Sequence, residues 1–429
     1  MNPEECIIHI DSMSYGGRGI GRRGDGKVVF VPLVIPGEKV RVSVQRDHKG
    51  YIEGEAVEFL ETSPWRVVPP CPYFSRCGGC DWQHILYETQ MKLKDAILKE
   101  QLKGKGIEVS EVGESLPSPR ETGYRCHTTL RCSHDDGLLI GFYRRKSNDL
   151  VPIDGCLILN EACRDILERI GRTLQDDPIV GLDAIDIHAP SDEILVRFVQ
   201  RGKIDRESLE RMNHIYRALG LRGLSVVFPD SGRQEYILGE TFCSYGMPLH
   251  GRRITLAGSF GGFIQANLEV NREMVMEVLE KASGSKTILD LYGGAGNFGI
   301  PLALNAERVT AVEQDRSLVK TGIMLARKNG CKGIRFENED AARFVKNLQR
   351  GDARFDTVVL DPPREGAREV VQSLTRMRSG RVIYISCNPS TLARDLAVLV
   401  DGGFAVKSVR LFDMFPQTYH IESVTVLER

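Results

Sequence analysis

The sequence holds 429 residues, 41% of them hydrophobic and 27% charged, a composition that excludes a disordered, collagen-like or small disulfide-stapled protein. That length is about three times the usual size of one compact domain, so two or three domains with sizeable cores are expected. Net charge is -1, from 57 basic and 58 acidic side chains, which leaves no global basic footprint, so any nucleic-acid partner has to be met locally.

No apolar run approaches the length of a membrane-spanning helix, and no membrane partner is expected. The first residues, MNPEECIIHIDSMSYGG, carry acids where a secretory signal has a basic region and a long apolar core. A cytoplasmic monomer is the expectation. The chain has 11 cysteines, and in a reducing compartment clustered cysteines point to metal or catalysis more often than to disulfides.

Residues 5 to 60 read as short alternating strands punctuated by Gly and Pro, which predicts a small antiparallel barrel of the OB type. Between residues 11 and 50, eight Lys or Arg side chains face four acids. With Tyr15 and Tyr51 nearby, this local excess fits RNA contact through phosphates and base stacking. The alternative is an ordinary solvated barrel surface.

Next comes a cysteine-bearing loop, CPYFSRCGGCDWQH, followed by an amphipathic helix over roughly residues 85–103. The spacing Cys71-x5-Cys77-x2-Cys80, with Cys156 as a distant fourth, can make a four-thiolate site for zinc or an iron-sulfur cluster. Spacing alone does not choose between them. The other cysteines, apart from Cys387, lack such a pattern and read as structural. Residues 122–256 mix strands with helices such as CRDILERIGRTL, an α+β middle domain.

From residue 260 apolar strands alternate with helices, which predicts a Rossmann-like, doubly wound parallel sheet with ligands at the strands' C-terminal ends. The last two strands lack an intervening helix and are expected to form an antiparallel hairpin at the sheet edge. Strand ILDLY runs into GGAGNFG, where Gly294, Gly296 and Gly299 match a nucleotide-binding turn, and Glu313 closes the next strand. Glycines admit a nucleotide-like ligand and the acid binds ribose hydroxyls, a pattern that serves NAD or S-adenosylmethionine equally.

The fourth strand ends in Asp361-Pro362-Pro363-Arg364, a rigid turn that holds a carboxylate over the crevice, which nucleobase methyltransferases need and dehydrogenases do not. The fifth ends at Cys387, just before a helix whose macrodipole is expected to favour the thiolate. His420 and Glu422 sit at the mouth of the last hairpin, an acid or base within reach of a thiol. Each feature also has a plain structural reading, as a stiff turn, a buried small residue or a surface carboxylate.

In this order CPYFSRCGGCDWQH, FIQANLEVN, LDLYGGAGNFG, LDPPREGA, SCNPSTLARD and DMFPQTYHIES resemble the RNA uracil-C5 methyltransferase family, which makes 5-methyluridine, over nearly the whole chain. The resemblance implies three domains. They are a TRAM-like barrel over 1–61, a central α+β domain over 62–258 whose helix near 85–120 is free to pack on the catalytic part, and a methyltransferase domain over 259–429. It implies a four-iron four-sulfur cluster on Cys71, Cys77, Cys80 and Cys156. S-adenosylmethionine would be bound by Gln265, Tyr292, Gly294, Gly296, Asn297, Glu313, Asp340 and Asp361. Cys387 would be the nucleophile, Glu422 the base, and Asp361 would hold the uracil ring. Members often carry a cysteine where this chain has Gly293, from which a looser turn is expected.

Ribosomal RNA of the large subunit is the expected substrate, because the complete cysteine motif and the TRAM-like barrel go with that branch. The T-loop of transfer RNA is the nearest alternative. A non-catalytic RNA-binding protein that keeps the fold is the alternative of a different class, and a nicotinamide oxidoreductase leaves the DPPR, SCNP and HIE segments unexplained.

Overall fold

The computed structural model describes residues 4–134, 137–176, 178–202, 206–228, 236–349 and 354–429. Strands β1 (Glu5–Met13), β2 (Arg18–Arg22), β3 (Val28–Pro32), β4 (Lys39–Asp47) and β5 (Tyr51–Glu61) close into a barrel in the order β1-β2-β3-β5-β4. Alternation drives it: Ile8, Ile10, Val29, Val31, Val40, Val42 and Ile52 point inward and are fully buried. The local basic excess is largely cancelled by β5, whose acids lie beyond residue 50. Arg18 pairs with Glu53 at 2.7 Å, Arg41 with Glu58 at 2.8 Å and Lys39 with Glu61 at 3.4 Å, while Lys27 pairs with Asp47. Tyr51 stacks on His48 at 4.4 Å, whereas Tyr15 turns away from the barrel surface towards Tyr419.

After helix α1 (Tyr87–Lys103) and the short strand β6 (Val109–Val112) comes a middle sheet. It contains β7 (His127–Ser133), β8 (Leu139–Tyr143), β9 (Leu150–Pro152), β10 (Leu182–His188), β11 (Leu195–Gln200), β12 (Gly223–Val227) and β13 (Tyr236–Gly239), in the order β13-β12-β11-β10-β7-β8-β9. Helices α2 (Glu161–Asp176) and α3 (Arg206–Ala218) bury Ile166, Ile170, Leu174, Met212 and Ile215 in one cluster with Leu130, Ile185 and Phe198 of the sheet. A hairpin, β14 (Phe242–Leu249) and β15 (Arg252–Ser259), follows.

The C-terminal part runs α4 (Leu268–Lys281), β16 (Thr287–Leu291), α5 (Gly299–Leu302), β17 (Arg308–Glu313), α6 (Arg316–Lys328), β18 (Ile334–Asn338), α7 (Ala341–Leu348), β19 (Arg354–Leu360), α8 (Arg368–Leu374), β20 (Arg378–Ser386), α9 (Pro389–Asp401), β21 (Ala405–Phe412) and β22 (Glu422–Glu428). Its eight strands lie in the order β18-β17-β16-β19-β20-β22-β21-β6. The first five are parallel, and three of the helices in this part start on side-chain caps: Asp315 on α6, Asp340 on α7 and Asn388 on α9.

One expectation is corrected. The β21–β22 hairpin is not the sheet edge, because β22 slots between β20 and β21 and the four-residue β6 then pairs in parallel with β21. Tyr245, Met247, Ile254 and Leu256 of the β14–β15 hairpin share one core with Val270 and Met274 of α4. Among the described residues no helix is long and apolar enough to cross a membrane.

Candidate active site

The parallel strands deliver their chemistry at one end, as chain direction in such a sheet requires. Ser386 of β20 stands opposite Ser423 of β22, so the residues next to them, Cys387 and Glu422, come level at the end of the ladder. Both line a cavity of about 650 Å³ together with Gln265, Tyr292, Gly294, Asn297, Glu313, Asp340, Asp361, Arg364 and His420. That volume and the mixture of apolar wall and few polar groups are those of a small-molecule site.

Hydrogen bonds close the glycine turn. Gly293 N donates to Val312 O at 3.0 Å, Gly294 N to Glu313 Oε2 at 3.1 Å and Gly296 N to Gly293 O at 2.8 Å. Gly296 is the one predicted cofactor residue outside the cavity lining. Its φ of 97° and the 2.7 Å from a built Cβ to Ile300 Cγ1 give it a packing role. Tyr292 adopts a left-handed φ of 62°, a strained conformation for a side-chain-bearing residue at the mouth of a binding turn. Asn297 is oriented by a reciprocal amide pair with Asn271 of α4, at 2.8 and 3.0 Å. Asp340 caps α7 by accepting from Arg343 N at 2.9 Å. These groups fit a nucleoside-bearing methyl donor, with an acid at the ribose position and main chain close by.

Electrostatics at the reacting end differ from the thiolate expectation. Burial, and then the charges of Glu422 and Asp361, push the Cys387 thiol up to about 12, against the opposing charge of Arg364. Burial likewise lifts Asp361 to about 7 and Glu422 well above the usual carboxyl range. The helix dipole does not overcome desolvation beside two carboxyls. His420 is held neutral, its pKa lowered to about 3 by burial, and its ring packs on Phe415 at 5.5 Å and Tyr419 at 4.4 Å.

The four motif cysteines, Cys71, Cys77, Cys80 and Cys156, line a second cavity of about 240 Å³ and are all free thiols. Tyr73 joins the two segments, its hydroxyl donating to Asp154 Oδ2 at 3.1 Å and accepting from Asp154 N at 3.0 Å. Among the described residues no three His, Cys, Asp or Glu side chains converge closely enough to hold a single ion. A lone zinc needs its sulfurs about 2.3 Å away. Four free thiols lining one cavity are a donor set that suits a soft metal centre, without choosing its kind.

Sequence reasoning gave Arg364 no role of its own, though it faces both Cys387 and Glu422, and read Tyr15 as an RNA contact, whereas its hydroxyl meets the main chain of Cys387. It also missed the buried Asp290, lifted to about 8 beneath the glycine turn. The DPPR motif contained a signal for the first; nothing local carried the second.

The model of the tRNA (Uracil-5-)-methyltransferase family matches residues 86–429 and that of the TRAM domain matches residues 4–57. The chain is 33% identical over 443 residues to the 23S rRNA (uracil(1939)-C(5))-methyltransferase RlmD of Alcanivorax borkumensis, covering 98% of this chain and 96% of that protein. It is 31% identical over 441 residues to an uncharacterized RNA methyltransferase of Thermotoga maritima, covering 98% of each. Among solved structures it is similar to the tRNA (uracil-54, C5)-methyltransferase of Pyrococcus abyssi in complex with S-adenosyl-L-homocysteine. That likeness has a TM-score of 0.74 at 24% identity, covers 98% of this chain and 99% of that one, and speaks for the fold. The chain therefore belongs to the tRNA (uracil-5-)-methyltransferase family, as an RNA uracil-C5 methyltransferase with an N-terminal TRAM domain.

Proposed function

We propose that the protein methylates C5 of a uridine in large-subunit ribosomal RNA, with Cys387 as nucleophile and Glu422 as base. The observation that carries this reading is the level pairing of Cys387 and Glu422 at the end of the β20–β22 ladder, inside the cavity that Asp361 also lines. The full-length similarity to the 23S rRNA enzyme supports ribosomal RNA over transfer RNA.

Gln265, Tyr292, Gly294, Asn297, Glu313, Asp340 and Asp361 hold S-adenosylmethionine in this reading. When bound, it supplies a methyl group on a sulfonium, an electrophile that uracil C5 alone is too poor a nucleophile to attack. Cys387, its thiol proton having passed to solvent, adds to C6 as the thiolate, and the electron pair of the C5–C6 double bond moves towards O4, leaving an enolate that is nucleophilic at C5. Once C5 carries the methyl group, the Glu422 carboxylate takes the C5 proton, and the returning electron pair expels the Cys387 thiolate. Arg364 supplies the positive charge that favours the ionised forms of both groups. The cavity is deep, so the uridine has to leave its stack, which costs a few kcal/mol and less in a loop.

Cys71, Cys77, Cys80 and Cys156 hold a four-iron four-sulfur cluster in the same reading, which cross-links the cysteine loop to the middle domain and takes no part in the chemistry. Anaerobic protein should be brown and lose its colour in Cys156→Ser; a colourless, zinc-loaded protein would overturn this.

The test of the activity uses ribosomal and transfer RNA containing 5-fluorouridine, whose C5 fluorine blocks the final proton removal. Wild type should form a denaturation-resistant adduct with ribosomal RNA and Cys387→Ala none. An adduct with transfer RNA alone would move the substrate to the T-loop. No adduct with either RNA would favour the non-catalytic binder.

A further inference from the structure

Within the connection between β21 and β22, residues 413–420 end two residues before Glu422, and what holds them lies elsewhere in the chain. Lys94 of α1 is fully buried, and its Nζ donates to Asp413 Oδ1 at 2.6 Å and to Phe415 O at 3.0 Å. The Tyr87 hydroxyl donates to Asp413 Oδ2 at 2.8 Å, and the Tyr124 hydroxyl donates to Pro416 O at 3.0 Å.

The centre of this arrangement is Gln417, whose φ of 68° lies in the left-handed region. A residue with a branched-out side chain stays there only when its surroundings over-determine it. On one side Gln90 of α1, also fully buried, accepts from Gln417 N at 3.0 Å and donates to Gln417 Oε1 at 3.0 Å. On the other side Gln417 O accepts from the main-chain N–H of both Asp81 and Trp82, each at 3.0 Å. Asp81 directly follows Cys80. Neither Gln90 nor Gln417 lines the catalytic cavity.

We propose that Gln90 and Gln417 are positioning residues for proton removal from C5: the pair fixes the 413–420 segment so that Glu422 meets the methylated ring, and the Asp81–Trp82 clamp makes the cysteine loop part of the same device. The inference rests on the reading of Glu422 as the base. A general base works only within hydrogen-bond reach of its proton, so a shifted segment harms this step first. Addition by Cys387 and methyl transfer precede it, and Cys387 directly follows β20, outside the clamped segment.

The step is separable by experiment. Because the Cys387–C6 bond breaks only when the C5 proton leaves, an enzyme with a misplaced base accumulates covalent adduct on ordinary uridine. Gln90→Met and Tyr87→Phe are compared with wild type in single turnovers on RNA carrying tritium at uridine C5. In Gln90→Met, methyl incorporation should stay within about twofold of wild type. Tritium release should slow by at least about tenfold, with adduct accumulating on denaturing gels. Tyr87→Phe removes a single hydroxyl and should move in the same direction by less, which keeps the test decisive if Gln90→Met folds poorly. In Cys80→Ser, amide exchange of the 413–420 peptide should rise, a readout independent of turnover. Equal slowing of both steps, unchanged tritium release in both variants, or unchanged exchange in Cys80→Ser would overturn the inference while leaving the function standing. A wild type that methylates RNA without releasing tritium would place the methyl group elsewhere than C5 and overturn the proposed function, and the inference with it.

Discussion

Tyr15, in the first turn of the barrel, donates its hydroxyl to the main-chain carbonyl of Cys387 at 3.2 Å, across 372 positions of sequence. Its ring also meets Tyr419 edge-on, with centroids 5.7 Å apart, so the barrel touches the reactive segment directly. Tyr15→Phe keeps the ring and removes the donor, a bond worth about 1 kcal/mol. The expected result is a fall in kcat of up to about fivefold, the rate equivalent of that energy, with KM for RNA unchanged. Steady-state kinetics check this. A rise in KM at constant kcat would instead make Tyr15 an RNA contact.

The Cys387 thiol, pushed up to about 12 chiefly by burial and then by Glu422 and Asp361, is protonated in the free protein at neutral pH. Alkylation of the Cys387 peptide by iodoacetamide, followed by mass spectrometry, should therefore be slow near pH 7 and rise about tenfold per pH unit. Asp361, lifted by burial to about 7, is ionised at about pH 9. Removing that charge with Asp361→Asn should lower the thiol pKa and speed alkylation there. Fast reaction of wild type at neutral pH would mean a standing thiolate.

Much of the C-terminal site was legible because parallel strands read as apolar runs whose last residues carry the chemistry: Glu313, Asp361 and Cys387 each end or directly follow such a run. What could not be read is what distant pairing decides. β6 is only VSEV, too short and polar to announce itself, and it becomes a strand by lying along β21. The basic excess of the barrel vanished because Glu53, Glu58 and Glu61 arrive on the partner strand, not the same one. Gln417 gave no signal either, since a left-handed glutamine is made by the groups that grip it.

Asp290 lies buried beneath the glycine turn, where a built Cβ at Gly299 would come within 2.7 Å of its Oδ2. Burial, reinforced by Asp361, raises its pKa from the ordinary 3.8 to about 8, against the amide of Gly299. The folded protein thus holds this proton more tightly than the unfolded chain. The resulting stability is full below pH 3.8 and is lost as pH rises through about 8. The slope is at most about 1.4 kcal/mol per pH unit for this group. Urea unfolding of the apo protein should show stability falling across this window, and Asp290→Asn, which stays neutral, should flatten the fall. Parallel curves for the two proteins would mean that Asp290 is ionised throughout.

Asp395 of α9 is fully buried and binds the end of the Asp361-Pro362-Pro363 turn. Its Oδ2 accepts from Ala367 N at 2.7 Å and from the Tyr384 hydroxyl at 2.8 Å, and its Oδ1 accepts from Arg394 Nε at 2.8 Å. Gly366, with a φ of 78°, lets the main chain come this close, since a Cβ there would stand 2.5 Å from Asp395 Oδ2. Asp395→Ala strands a buried amide and a buried hydroxyl, and should cost roughly 3 kcal/mol of stability in urea unfolding. Tyr384→Phe removes one partner only and should cost about 1 kcal/mol. The two should separate in function as well. Asp395→Ala frees the turn that bears Asp361 and Pro363, both in the cofactor cavity, so calorimetric titration with S-adenosylhomocysteine should show weaker binding. Tyr384→Phe leaves Ala367 held and should bind as wild type does. Equal binding in both variants would make Asp395 a stability residue alone and leave the turn to be held rigid by its prolines.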